Sequence, residues 1–480
     1  MNRPILWKPH EGAQSEFLSR NEDFVLFASG KGSGKSDSLL FESLRQIHNK
    51  NYHGLIIRRT IPRLRELVDR AHKYFPRLGA KWSGQTNRYE FPTGAMITFG
   101  HCQHEQDKQN YQGHQYQGIF FDQLEEFTES QFNFINAQNR TDDPTLKCYI
   151  RATANPGGIG HWWIKRRFID GKKSGQTIED RYELPDGRTA TRTSCYISAT
   201  IYDNPTLLAA SPTYLSNLLS LPEIERRAYL EGDWNAFASQ CVFDAHGMQM
   251  QELQIREPGW IGYLRESREL YQIVPDENGE LKIWVEPKDE VEYQIGADVA
   301  EGDEDGNYSV AHVIDKRNWE QVAVWHGHIG AFEFAKILDR LGRYYNLAEL
   351  SVEVPGPGIA TVEKLGELDY PDLYEYETGK KGFRTDSASR SNLIATLLDA
   401  VRDGSVKIHD RDTLDEMYNF IRHERTMKIK AREGTFDDRV MSLGIALHCI
   451  RINPFYEPRH PSKQRRSPIS VTNVSPIRRR

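Results

Sequence analysis

Bulk composition excludes more than it reveals. Only five cysteines occur among 480 residues, Cys102, Cys148, Cys195, Cys241 and Cys449, and none has a close partner. That spacing offers neither a zinc-ligand pattern nor a disulfide framework, and it fits a reducing compartment. No apolar run approaches the ~18 residues of a membrane span, and no apolar leader segment follows the first Met. Net charge is only −6, so the total announces no polyanionic partner, and any such contact must come from local basic patches. Hydrophobic content is low at 38%, but 22 Tyr and 9 Trp supply material for packed cores. At this length two domains are the default.

Against this background one stretch is sharply written: Phe24–Ser38, FVLFASGKGSGKSDS. Phe24 to Ala28 read as a buried strand, and Leu39-Leu40-Phe41 begin a helical apolar pattern. Between them lie Ser29, Gly30, Lys31, Gly32, Ser33, Gly34, Lys35 and Ser36. Strand, glycine-rich turn, Gly-Lys-Ser and helix make a phosphate-binding loop. Glycines let backbone N–H groups curl around an anion, and the helix start adds partial positive charge. Lys35 is then expected to reach the β/γ-phosphates and Ser36 to ligate Mg²⁺. The usual first glycine is replaced by Ser29.

The neighbouring elements supply candidate partners. Gln14 precedes the first strand, and a glutamine can bond the two-sided edge of adenine. Leu55-Ile56-Ile57 is a second buried strand ended by Arg58-Arg59, and Arg88–Phe99 reads as a hairpin. Gly118–Asp122 is a buried strand ending in an acid, where a nucleotide's Mg²⁺ shell needs negative charge. NTPases commonly place a glutamate next, to orient or deprotonate water, but here that position is Gln123. An amide orients water yet is no base at neutral pH. Glu125 or Glu126 takes that role, or Gln123 only positions water, or hydrolysis is stalled. Leu146–Thr153 is a further strand, leading into Asn155-Pro156-Gly157-Gly158, where a polar strand-end residue can sense the γ-phosphate. His161–Phe168 is an amphipathic basic helix, residues 181–196 a hairpin, and 199–234 mainly helical.

The second half carries a different acid set. Tyr293–Ala300, Tyr308–Ile314 and Gln321–Trp325 read as an antiparallel meander, with a turn at Gly302–Gly306. A helix (332–345), a strand ending near Glu353, two helices opening at 356 and 387, and an apolar helix opening with Asp437-Asp438 follow. This is the element order of a ribonuclease-H-like fold. Its first strand, fourth strand and last helix converge, bringing Asp298, Glu353 and Asp438 together with Asp437 close by. Clustered carboxylates are tolerated when divalent cations neutralise them. Two Mg²⁺ or Mn²⁺ ions in such a site serve phosphodiester hydrolysis. The expected organisation is therefore α/β. It comprises a P-loop NTPase domain over 1–235, a mostly parallel sheet with flanking helices and a helical lid at about 200–235. A linker over 236–258, a ribonuclease-H-like nuclease domain over 259–455 and a disordered basic tail over 456–480 follow.

In this order the parts resemble the large subunit of tailed-bacteriophage terminases. The resemblance rests on SGKGSGKS (29–36), FFDQLEEFTE (120–129), TANPGG with HWWIKRRFI (153–169), YDNPTLL with LPEIERRAYLEGDW (202–234), GADVAEGDEDGNYSV (296–310) and DDRVMSLGIAL (437–447). It implies an ATPase that drives double-stranded DNA into a procapsid and a metal-dependent endonuclease that cuts concatemers. Lys35 and Ser36 then serve the triphosphate and Mg²⁺, Asp122 supports that metal, and Asn155 lies in a coupling motif. Asp298, Glu353 and Asp438 are the nuclease ligands. The family generally has Glu at position 123. It also implies a portal protein, a small terminase subunit, a pentamer on the portal, and a trans-acting arginine for which Arg58, Arg59 and Arg140 are candidates. The expected place is the host cytoplasm and, transiently, the procapsid portal, with no membrane and no place in the mature virion. Two alternatives stand beside this: an ATP-binding assembly adaptor with impaired hydrolysis, and a helicase- or repair-type ATPase–nuclease.

Overall fold

The computed structural model describes residues 6–267, 270–302, 308–423, 427–432 and 434–455. The basic stretch 456–480 and most of the turn at 302–306 lie outside the described residues. The chain divides into two compact units, Met1–Ser239 and Gln240–Arg480.

In the first unit α1 (Ala13–Ser19) leads to β1 (Phe24–Ser29), α2 (Lys35–Glu42), β2 (His53–Arg58) and α3 (Ile61–Tyr74). Short strands β3 (Lys81–Ser83) and β4 (Arg88–Glu90) precede β5 (Met96–His101), β6 (Gly118–Phe121), α4 (Glu129–Asn136), β7 (Tyr149–Ala154) and α5 (His161–Ile164). The hairpin β8 (Ile178–Glu183) and β9 (Thr189–Ala199) is followed by α6 (Pro205–Ala210), α7 (Pro212–Leu219) and α8 (Glu223–Arg226). The nine strands lie in the order β3-β4-β5-β2-β6-β7-β1-β9-β8. From β5 to β9 the neighbours are parallel. Every residue of β1 and β7 is buried, as a strand covered on both faces requires. After β1 the chain crosses β7 and β6 to reach β2, while β9 lies on the other side. Order reverses beside β1, so the loops after β1, β6 and β7 share one crevice at the strands' carboxyl ends. Arg151 of β7, 1% exposed, pairs with Glu42 of α2 (3.2 Å) and ties the phosphate-loop helix to the strand that ends at Asn155.

The second unit opens with α9 (Ala245–Glu252), β10 (Trp260–Ser267), β11 (Leu270–Pro275) and β12 (Leu281–Ile283). Then come β13 (Tyr293–Asp298), β14 (Ser309–Asp315), β15 (Glu320–Gly327), α10 (Ala331–Tyr344), β16 (Glu349–Val354) and α11 (Gly358–Glu367). Short strands β17 (Glu375–Glu377), β18 (Lys380–Lys381) and β19 (Phe383–Arg384) precede α12 (Ser387–Arg402) and α13 (Arg411–Tyr418). The chain closes with β20 (Phe420–Arg422), β21 (Ile429–Ala431) and α14 (Asp438–Ile452). The large sheet runs β11-β10-β12-β15-β14-β13-β16-β19. β13 to β15 pair antiparallel, and β16 and β19 continue parallel to β13. This is the ribonuclease-H-like arrangement that the element order implies.

α14 is buried nearly all round because it lies between β13–β14 and α12. Gly296 permits the close approach: a Cβ there would collide with the Ser442 carbonyl and the Ala446 amide. Ser442 Oγ donates to the Gly296 carbonyl (2.9 Å) and meets the backbone N–H and Nδ1 of His312 (3.1 and 3.0 Å). His312 Nε2 meets Thr413 Oγ1 (3.1 Å), so the fully buried imidazole joins sheet, α13 and α14.

Two sequence expectations change. The stretch 236–258 is no free linker: Phe243 and Met248 are buried in the second unit's core, and the Val242 N–H bonds the Phe420 carbonyl. Their apolar side chains sit in a polar stretch, which hides them from a composition reading. The strands β10–β12 extend the sheet beyond the meander, and charged residues interrupt their alternation in sequence. Among the described residues no helix is long and apolar enough to cross a membrane.

Gly296→Val drives a branched side chain into helix backbone, and we expect it to destabilise the second unit by about 3 kcal/mol, read by urea unfolding. His312 offers a pH test. Burial, with Arg439 against it and Asp410 for it, holds its pKa down at about 3, below the ~6.5 of an unfolded histidine. Between those values only the unfolded chain binds the proton, so stability falls as pH drops through that window. His312→Gln should flatten the unfolding free energy by up to about 1.4 kcal/mol per pH unit there.

Candidate active sites

The first site is the crevice beyond β1, β6 and β7. Gly34 (φ 84°) ends the loop in the left-handed region and caps α2, and Gly30 has no room for a Cβ beneath the Tyr229 carbonyl. The loop is braced from three directions. Gln14 Nε2 donates to the Ser33 carbonyl (3.0 Å), Asn204 Nδ2 to the Gly32 carbonyl (2.8 Å), and the Lys31 N–H to the Tyr229 carbonyl (2.7 Å). Lys31 Nζ also lies 3.7 Å from the centre of the Tyr229 ring. Gln14 is buried, and its Oε1 accepts the His10 N–H (3.1 Å). Its amide thus serves the phosphate loop in this arrangement, and an adenine edge would have to displace those bonds.

Lys35 Nζ donates to Ser29 Oγ (2.9 Å), the Gly30 carbonyl (2.6 Å) and Asn155 Oδ1 (2.9 Å). Burial lowers its pKa to about 8, against the attraction of Glu125 and Asp122. Asp122 is wholly buried and receives Ser36 Oγ (3.0 Å), Thr153 Oγ1 (2.7 Å) and Arg58 Nε (2.6 Å). A serine hydroxyl and a carboxylate side by side, with a glycine loop that no Cβ could line, fit a Mg²⁺–triphosphate. Arg58 is thereby committed to Asp122 of its own chain, which removes it from the trans-arginine candidates. Arg59 Nη1 donates to Gln131 Oε1 (2.5 Å), and Arg140 is exposed.

Gln123 adopts the left-handed conformation (φ 61°), and its N–H donates to Thr153 Oγ1 (2.9 Å). This bend leads into a tight turn, Leu124–Glu126, that separates the two glutamates. Glu126 is half-buried and paired with Arg63. Glu125 is buried: its Oε1 accepts Asn155 Nδ2 (2.7 Å), and its Oε2 has no hydrogen-bond partner among the described residues. Burial raises its pKa, with Asn155 and Lys35 acting against that rise. Lys35, Asn155 and Glu125 therefore form one hydrogen-bonded chain across the crevice. Thr153, Asn204 and Tyr229 were not singled out as site residues from sequence, and Arg58 was named there only as a candidate for a neighbouring subunit. Only Arg58 left a signal, as a charge closing an apolar strand.

The second site gathers acids from three elements. Asp298 ends β13, and Glu353 lies on the parallel neighbour β16, one place beyond the Ala297–Val352 pair. Asp437 and Asp438 open α14. Burial first, then the Glu353 carboxyl within hydrogen-bonding reach, then Asp438 and Asp437 hold the Asp298 carboxyl well above the usual range. Asp438 is pushed up to about 7, mainly by burial and then by Asp437 and Glu353, against the Tyr308 N–H that donates to its Oδ2 (2.8 Å). Asp437 Oδ2 accepts Arg390 Nη2 (3.0 Å). Among the described residues no three such side chains are arranged around a metal position. Asp298 lies instead within hydrogen-bonding reach of Glu353. The donor chemistry, four carboxylates on three elements with little basic compensation, still fits divalent cations, which would discharge their mutual repulsion.

Residues 26–248 match the family model described as terminase large subunit, T4likevirus-type, N-terminal. No curated protein matches the chain. Among solved structures, the large terminase nuclease from thermophilic phage G20c with bound magnesium is 23% identical, covering 44% of this chain and 97% of that one with a TM-score of 0.32. The large terminase of another thermophilic bacteriophage, in complex with ADP, is 15% identical, covering 92% of this chain and 100% of that one with a TM-score of 0.37. The Thermus phage P74-26 large terminase nuclease domain is 20% identical over 42% of this chain and 93% of that one, with a TM-score of 0.30. Likenesses this distant carry no conclusion about the chemistry of this chain. The family match does not depend on them, and the matched residues 26–248 contain the phosphate loop, Asp122, Glu125 and Asn155.

Proposed function

We propose that this chain is an ATP-driven motor and endonuclease that moves viral double-stranded DNA into a procapsid and cuts the concatemer. The observation that carries the reading is the connected crevice Lys35–Asn155–Glu125 beside Ser36–Asp122. Lys35 exchanges its Gly30 and Asn155 partners for β/γ-phosphate oxygens. Ser36 and Asp122 would hold a Mg²⁺ ion, which when bound would supply positive charge to the transferred phosphoryl group. Glu125, rather than Gln123, orients and deprotonates the attacking water, because it is the carboxylate joined to Lys35 through Asn155, whereas Glu126 is paired with Arg63. Release of Asn155 by Lys35 links phosphate occupancy to the position of that carboxylate, and so to the lid residues Asn204 and Tyr229 that brace the loop. The impaired-adaptor alternative rested on Gln123 alone, and a second acid at the crevice weakens it.

In the second unit Asp298, Glu353, Asp438 and Asp437 would hold two Mg²⁺ or Mn²⁺ ions. Such ions stabilise the attacking and leaving oxygens of phosphodiester cleavage. DNA contacts are mainly to phosphates, hence salt-dependent and sequence-tolerant. A portal protein, a small subunit and a ring of five copies are the partners this reading requires, in the host cytoplasm and transiently at the procapsid.

Glu125→Gln should lower ATP turnover by at least about 100-fold, whereas Glu126→Gln and Gln123→Glu stay within a few-fold of the parent. Full turnover in Glu125→Gln would reject the water-activating role, and no turnover in the parent or Gln123→Glu would reject the motor. Asp298→Asn should abolish Mn²⁺-dependent plasmid cleavage with ATP turnover unchanged, and undiminished cutting would remove the nuclease.

A further inference from the structure

α14 begins at the second site with an unusual division of labour. Asp437 occupies the N-cap position, where an aspartate ordinarily accepts the N–H of the second or third helical residue. Five other helices follow that rule with their own caps: Thr128, Asn204, Asp244, Asp386 and Asp410. Asp437 makes no such bond, and its Oδ2 accepts Arg390 instead. The first turn is served from outside the helix. Glu416 of α13 accepts the Arg439 N–H on Oε2 (2.9 Å) and holds the Arg439 Nε near Oε1 (3.4 Å). The buried Arg439 guanidinium also donates to Asp410 Oδ2 (2.7 Å), which caps α13 through Thr413 and accepts Lys282 Nζ (3.0 Å).

We infer that Glu416 is a positioning residue that caps α14 in trans, so that Asp437 and Asp438 face cations rather than their own helix. The argument is one of competing demands. A helix start leaves N–H groups that need acceptors, and an aspartate at the N-cap ordinarily supplies one. An aspartate turned back onto its own backbone cannot also direct those lone pairs at a cation. Glu416 removes the conflict by supplying an acceptor from α13, and Arg439 locks the two helices in register. Burial and the nearby Asp438 and Asp437 hold the Glu416 carboxyl above its usual range against Arg439, and an uncharged carboxyl still accepts an N–H through an oxygen lone pair. A glutamine therefore keeps the cap and an alanine does not.

The consequence for cations rests on the nuclease reading, but the cap does not, and full-length protein tests the two separately. Hydrogen exchange without added metal should show the Arg439 amide exchanging about tenfold faster in Glu416→Ala and near the parent rate in Glu416→Gln. Asp437→Ala should leave that amide unchanged, and faster exchange in this variant would make Asp437 the cap and overturn the inference even if Glu416→Ala fails to fold. Mn²⁺ binding, followed by calorimetry and by the electron paramagnetic resonance of free Mn²⁺, should weaken about tenfold in Glu416→Ala, with ATP turnover unchanged. Parent-like exchange in Glu416→Ala overturns the cap. Fast exchange with parent-like Mn²⁺ affinity overturns its role in positioning the acids. A parent protein that binds no Mn²⁺ rejects the nuclease reading and with it that role, while the exchange result still decides the cap.

Discussion

Carboxylates brought together at the ends of parallel strands must be neutralised, and the two units of this protein do it in opposite ways. At the first site the compensation is built in: Arg58 lies on Asp122, and Lys35 reaches Glu125 through Asn155. At the second, Asp298 lies within hydrogen-bonding reach of Glu353, and the Tyr308 N–H, Arg390 and Arg439 offset Asp438 and Asp437. The same electrostatic demand is met by basic partners within the crevice of one unit and falls largely on the acids themselves in the other.

This contrast explains which groups are held rigidly. Asp122 has three donors within hydrogen-bond distance and no exposure, so its orientation is decided before any nucleotide arrives. Glu125 keeps one oxygen without a hydrogen-bond partner among the described residues. In the second unit the rigidity lies behind the acids: Gly296, Ser442 and His312 lock α14 onto the sheet, and Arg439 ties it to α13. The helix is fixed so that its first two residues need not be fixed by their own backbone.

Much of this was legible in the chain because it is local. The glycine loop, the strands that end in Asp122 and Asn155, and the meander with Asp298 each occupy a short continuous stretch, where period and turn chemistry speak directly. Less legible were contacts made by residues with ordinary local roles. Arg58 reads as a strand-closing charge and a candidate for a neighbouring subunit, but folding brings it against Asp122 of its own chain. Glu416 carries no signal in the sequence and becomes the cap of a different helix. Phe243 and Met248 sit in a polar stretch and yet complete a core.

The sequence by itself determined which residue types stand at which strand ends and helix starts. Backbone geometry follows from glycine placement and apolar period, and both are properties of neighbours in the chain. Only the tertiary structure decided which of the acids after Asp122 faces the nucleotide crevice. The left-handed bend at Gln123 and the pairing of Glu126 with Arg63 leave Glu125 as the buried one. Side-chain direction after such a bend depends on what closes around it, and that is settled by packing across the whole unit rather than by the sequence of five residues.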